Sequence, residues 1–422
     1  MVTVDNLFFE LIQIALGNKD RLSHNPSKEE WENLFLDAQK QSVVGVAFEG
    51  VQKLPKEQWP PQALLFKWIG TTEIIKQRNA LLDKQCVKLQ KRFHDVGVRS
   101  SILKGQGIAR LYEAYPQPLP KGKGSEVPKG NGLGILRQPG DIDIYVDCGR
   151  VRLFEIVDSI EFRGERQSED KNRKSLIRDW DYKHLHLDVF KDTEVEVHYR
   201  VEVLLSLWKN RKLQRWFKEH ETELFAHAND NLNANLNLKA NTNLTNDTNR
   251  FVTPTVEFNV FYILLHIYRH FLYEGVGMRQ IMDYYFVLRM VQEFKGLRVQ
   301  EYVEAVCEFG MEKFAKGLMW VMQEVLGMPR GWMLWEPDEK EGRYILEQVM
   351  TGGNFGHHDE RLKHSGGKLG AVKAILTHNM HLLTHYPSDV IWAPVWIVWH
   401  KLWKLTRRGV SGDRFLTRRV YQ

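Results

Sequence analysis

Strict two-residue alternation of apolar and polar side chains is confined to one stretch of this chain, and helical periodicity lies on both sides of it. Ile142, Ile144 and Val146 alternate with Asp141, Asp143 and Tyr145, which predicts a half-buried strand over Asp141–Asp147. His184–Asp188 and Glu194–Tyr199 alternate likewise around Lys191-Asp192-Thr193, which predicts a β-hairpin. Val98–Leu103 reads as a shorter buried strand. A sheet this small cannot organise 422 residues by itself, so the expected fold is α+β: a mostly helical chain around a small mixed β-sheet.

The flanking regions fit that reading. Ser27 and Glu30 form a capping box ahead of Trp31, Leu34, Phe35 and Ala38, and a long helix is predicted over about Ala63–Phe93. Further helices are predicted over Ile108–Tyr115, Val151–Ile160, Val256–Tyr273, Met278–Phe294, Leu297–Phe309, Lys313–Leu326, Lys368–His385 and Asp389–Leu405. Pro116–Gly134 reads as a loop, and the asparagine-rich tract as a flexible linker. The expected organisation is a helical region over 1–97, an α/β core over 98–228, a linker over 229–250 and a helical C-terminal domain over 251–422.

Apolar residues make up 43% of the chain and charged residues 27%, which excludes a wholly disordered chain. Three scattered cysteines exclude a disulfide framework or a paired-cysteine zinc knuckle. They predict free thiols and, with no signal segment or apolar run of spanning length, a cytoplasmic protein. The net charge of +6 suits anionic substrates and is no strong nucleic-acid signal.

The chemistry concentrates at Gly140-Asp141-Ile142-Asp143. Residues i and i+2 of a strand share a face, so Asp141 and Asp143 are expected to converge and hold Mg²⁺ or Mn²⁺, which take hard oxygen ligands. Replacing either acid by its amide should then relieve repulsion and leave the melting temperature unchanged or raised. Upstream, Lys104-Gly105 is a strand-to-helix turn whose amides can cradle phosphate. The hairpin's polar face carries His184, His186, Asp188, Glu194, Glu196 and His198, with Glu196 preferred over Asp188 as a third acid. His186 and His198 are read as partners that orient the acids.

Leu103-Lys104-Gly105, then Arg137-Gln138-Pro139-Gly140-Asp141-Ile142-Asp143, then Glu196-Val197-His198, and finally Arg279-Gln280-Ile281-Met282-Asp283 resemble a bacterial family of uncharacterised nucleotidyltransferases within the polymerase-β-like superfamily. The resemblance implies transfer of a nucleoside monophosphate from a triphosphate such as ATP to an unknown acceptor. In that role Asp141, Asp143 and Glu196 would hold metal; Lys104, Gly105, Arg137 and Arg279 would bind nucleotide; and His186, Asp188, His198 and Asp283 would support them. The alternatives are a silent nucleotide-binding or antitoxin-like regulatory module and a sugar-nucleotide glycosyltransferase. Arg279 and Asp283, four apart on a helix, otherwise read as an intrahelical ion pair.

Two further features have plain readings. His357-His358-Asp359-Glu360 on a glycine-rich loop is not expected to be a metal site. Trp392, Trp396, Trp399 and Trp403 lie at helical spacing and predict a core-packed helix, with weak membrane-surface contact as the alternative because basic residues flank them.

Overall fold

The computed structural model describes residues 6–113, 132–159, 162, 176–225, 251–293, 297–353 and 382–407. The asparagine-rich tract, most of the 116–134 loop, the His357–Glu360 run and most of the helix expected over 368–385 lie outside the described residues. Within them the fold is α+β, with five strands in one mixed sheet and helices elsewhere.

The chain divides into two compact units, each assembled from three separated segments. Unit 1 comprises Met1–Leu81, Ile108–Pro139 and Asn259–His381; unit 2 comprises Leu82–Gly107, Gly140–Phe258 and Leu382–Gln422. A sequential order of domains was expected, whereas the units interleave. The physical reason in unit 1 is that N-terminal helices are completed by C-terminal ones.

Helices α1 (Leu7–Leu16), α2 (Lys28–Lys40), α3 (Val44–Lys53) and α4 (Gln62–Asp95) open the chain. The Asn6 side chain caps α1, and the predicted Ser27–Glu30 capping box starts α2. Gln13 Nε2 donates to the carbonyls of Glu324 and Val325 at 3.2 and 3.1 Å. Gln41 donates to the Val349 carbonyl at 3.1 Å and accepts from the Met278 amide at 2.9 Å. These bonds tie the first and last segments of unit 1 together. At its centre, Met278–Glu293 is buried from Met278 to Val291 on every face, as expected of a helix enclosed by others.

Unit 2 holds the sheet: β1 (Ser100–Ile102), β2 (Ile142–Val146), β3 (Ile177–Trp180), β4 (His184–Phe190) and β5 (Thr193–His198), in spatial order β1-β2-β5-β4-β3. The β4–β5 hairpin is antiparallel as predicted, β2 and β5 run parallel, and β3 is an edge strand that the sequence pattern did not reveal. One sheet face carries Ile142, Ile144, Leu185, Leu187, Val195 and Val197. It packs on Leu82, Cys86, Leu89 and Phe93 of α4 and on Leu153, Ile156 and Val157 of Arg150–Asp158. Burying that face leaves the polar face of the same strands for chemistry.

The tryptophan-rich helix Trp392–Arg407 joins unit 2 through an aromatic cluster. Trp403 meets Trp180 edge-on at 5.5 Å, and Tyr182 meets Trp396, Trp399 and Trp403 at 5.4, 4.9 and 5.1 Å. The four tryptophans are half-buried rather than enclosed, and Ile391, Val395, Val398, Leu402 and Leu405 stand exposed along one stripe. No helix among the described residues is long and apolar enough to cross a membrane.

Candidate active site

Strand register places the acids. β2 and β5 pair so that Asp143 lies opposite Glu196, and β4 and β5 pair so that His186 lies opposite Glu196. The three side chains therefore form a row across the polar face. His198 ends β5 and closes the row: its Nε2 lies 3.0 Å from Asp143 Oδ1 and 3.4 Å from Glu196 Oε2. Asp143, Glu196 and His198 form one group able to hold a metal ion, and His184, His186 and Glu196 form another.

Asp141 belongs to neither group. Pleat geometry applies only inside a strand, and β2 begins at Ile142, so Asp141 sits on the turn that leads in. It remains close enough to help hold the Lys104 ammonium. Asp188 also lies outside both groups; it is beyond His186 along β4, and its amide donates to the Leu176 carbonyl. Of the two hairpin acids, Glu196 is the one brought beside Asp143.

Lys104, expected to bind nucleotide, lies against an acid of the row. Its Nζ lies 3.1 Å from Asp143 Oδ1. Burial by itself pushes the Lys104 ammonium down, but the charge of Asp143, then of Asp141 and Glu196, overrides it and raises its pKa. Burial pushes Asp143 up, yet Lys104 and the His198 hydrogen bond hold it below the usual carboxylate range. Glu196 is also held low against burial, first by its bond to His198 and then by Lys104. His198 is raised, because bonds to both acids outweigh its burial. His184 is pushed down to about 3 by burial and by neighbouring His198.

The turn after β1 brings Lys104 to this row. Gly105 has φ +60°, a left-handed conformation that favours glycine. At Gly107, in the first turn of Gln106–Glu113, an added Cβ would stand 2.6 Å from the Ile102 carbonyl oxygen. The helix start is thus pressed on the end of β1, with backbone amides rather than side chains at the turn.

The remaining predicted residues cluster within unit 1. Arg137 is buried and clasps Asp283 with two bonds of 2.7 Å, while Tyr112 Oη donates to the same carboxylate at 2.7 Å. Asp283 therefore pairs with Arg137 and Tyr112, not with Arg279 as helical spacing suggested. Arg279 lies 3.4 Å from the carbonyls of Gln138 and Pro139, the residues just ahead of Gly140-Asp141. Arg137, expected to bind nucleotide, is thus held in a buried ion pair with Asp283.

His198 was expected to orient the acids; that it holds Asp143 as well as Glu196, and that Lys104 lies on Asp143, depends on strand register and was not legible in the sequence. The family model described as uncharacterised nucleotidyltransferase matches residues 27–117 and 135–327, and the chain belongs to that family. No curated protein and no solved structure matches the chain.

Proposed function

We propose that this protein is a divalent-metal-dependent nucleotidyltransferase that moves a nucleoside monophosphate from a triphosphate, such as ATP, to an acceptor hydroxyl or phosphate. The observation that carries the reading is the alignment of Asp143 with Glu196 across adjacent parallel strands, with Lys104 from the glycine turn at 3.1 Å from Asp143.

The residues fit a hard divalent cation. Asp143 Oδ2 is buried with no hydrogen-bond partner, and so is an acceptor available to an ion. Asp143 and Glu196 would hold Mg²⁺ or Mn²⁺, with Asp141 at the approach. When bound, such an ion offsets phosphate charge and favours in-line displacement with release of pyrophosphate.

The chain's own groups account for the rest. Lys104 is held on Asp143 by opposite charge alone, so a triphosphate beside the Gly105 turn offers it a competing anion. The half-buried amide of Gly105 would offer a hydrogen bond to a phosphate oxygen. His198 keeps both carboxylates ionised and oriented. The free cysteines support a reducing, cytoplasmic setting.

The test is incubation of the purified protein with Mg²⁺ and each of several triphosphates, with pyrophosphate detection. Release by the wild type and not by Asp143→Asn is expected. Nucleotide binding with no pyrophosphate from any triphosphate would replace the reading with that of a silent regulatory module.

A further inference from the structure

The polar face carries a second convergence that nucleotidyl transfer does not use. His184 and His186 are two apart on β4, on the same face, and their Nε2 atoms lie 3.1 Å from each other. Their rings meet nearly perpendicular, with centroids 4.6 Å apart. Two imidazoles turn ring nitrogens on each other in this way either to share one proton or to share one ion. Tetrahedral Zn²⁺ with bonds of about 2.0–2.1 Å would separate two such nitrogens by about 3.3 Å, close to the observed span.

The surroundings match a metal better than a lone N–H···N bond. Glu196 completes a three-residue group whose ligand atoms all lie within 4.8 Å of one another. Behind His186, Nδ1 lies 3.4 Å from Glu194 Oε1 and 3.5 Å from Nη2 of Arg178, which pairs with Glu194, so a fixed ion pair backs this imidazole. Asp181 Oδ2 stands 3.7 Å from His184 Nε2 and adds negative charge at the flank. Two imidazoles and one carboxylate leave a fourth position open and form a softer donor set than Mg²⁺ prefers.

We propose that His184, His186 and Glu196 form a nitrogen-rich binding site for a divalent transition-metal ion of the zinc class. It is distinct from the oxygen-rich position at Asp143, and Glu196 is common to the two. Glu196 borders both groups: Oε2 lies 3.4 Å from His198 Nε2 and 3.6 Å from His184 Nδ1, and Oε1 lies 3.9 Å from His186 Nδ1.

The test uses zinc alone and no turnover, so it stands apart from the transfer reaction. Zn²⁺ is titrated into the full chain against a chromophoric chelator in excess Mg²⁺, and X-ray absorption is recorded on wild-type protein carrying one equivalent. One tightly held zinc with two imidazole ligands is expected. His186→Gln should weaken binding at least about tenfold, while Asp143→Asn should leave it within about twofold. A spectrum with a single imidazole would place the ion with Asp143, Glu196 and His198 and overturn the proposal, as would zinc held no more tightly than by His186→Gln. Because the spectrum is taken on unmutated protein, a poorly folding variant still leaves a decisive result.

Discussion

Asp143 illustrates how placement changes what a residue does. Read as one of two acids side by side, it should be relieved by an amide. In the structure it is buried between Lys104 and His198, so Asp143→Asn removes the nearest counter-charge of both and leaves Glu196 and Asp141 to offset them from farther away. We expect the substitution to abolish transfer and also to destabilise the fold by about 3 kcal/mol or more; an unchanged or higher urea midpoint would show that the buried cluster is wrongly described. The pH dependence has a definite sign. His198 has a raised folded-state pKa, so its contribution is complete below its unfolded value of about 6.5 and is lost as pH rises through the folded value. Asp143→Asn should flatten that part of the wild-type stability profile, as denaturation across mildly acid to alkaline pH can check. For the hairpin acids, Glu196→Gln should lose turnover while Asp188→Asn keeps it, and the reverse pattern in a pyrophosphate assay would move the third acid to Asp188.

Among the elements, the β1 turn makes two separate demands for glycine. Gly105 needs its left-handed φ, but an added Cβ would meet only the Asp141 carbonyl oxygen at an ordinary 3.6 Å, so Gly105→Ala should cost about 1 kcal/mol. Gly107→Ala drives a methyl into the Ile102 carbonyl and should cost about 2 kcal/mol by forcing α-helix and strand apart. Unfolding midpoints that rank the two the other way would contradict this packing. What the sequence revealed follows the same division between local and distant causes. The hairpin, the long helix α4 and the Ser27 capping box were legible because period and capping are local properties of a few residues. Edge strand β3 was not: Ile177-Arg178-Asp179-Trp180 buries only its ends, and it is a strand by virtue of pairing with Leu185 and Leu187. Likewise Arg137 and Asp283 lie 146 positions apart, and no pattern in either neighbourhood announces their bond.

At the scale of the whole molecule, each compact unit draws on chain from both sides of the asparagine-rich tract. Within unit 2, for example, Ile102 donates to the Val252 carbonyl at 2.9 Å, and Gln90 donates to the same carbonyl and accepts from the Val252 amide. A protease site placed in the tract should therefore yield two pieces that stay together under native conditions; separation on size exclusion after cleavage would mean that the units do not depend on both halves. The same interleaving bears on how the protein is made. A ribosome delivers the β-sheet strands well before the helices from Asn259 onward and the tryptophan helix that cap the two units. At roughly 5–20 residues per second, the nascent sheet waits on the order of ten seconds for its last partners. During that interval Tyr182 and Trp180 present bare aromatic surface to solvent. Newly synthesised chains should thus be clients of the cell's holding chaperones until Trp403 emerges.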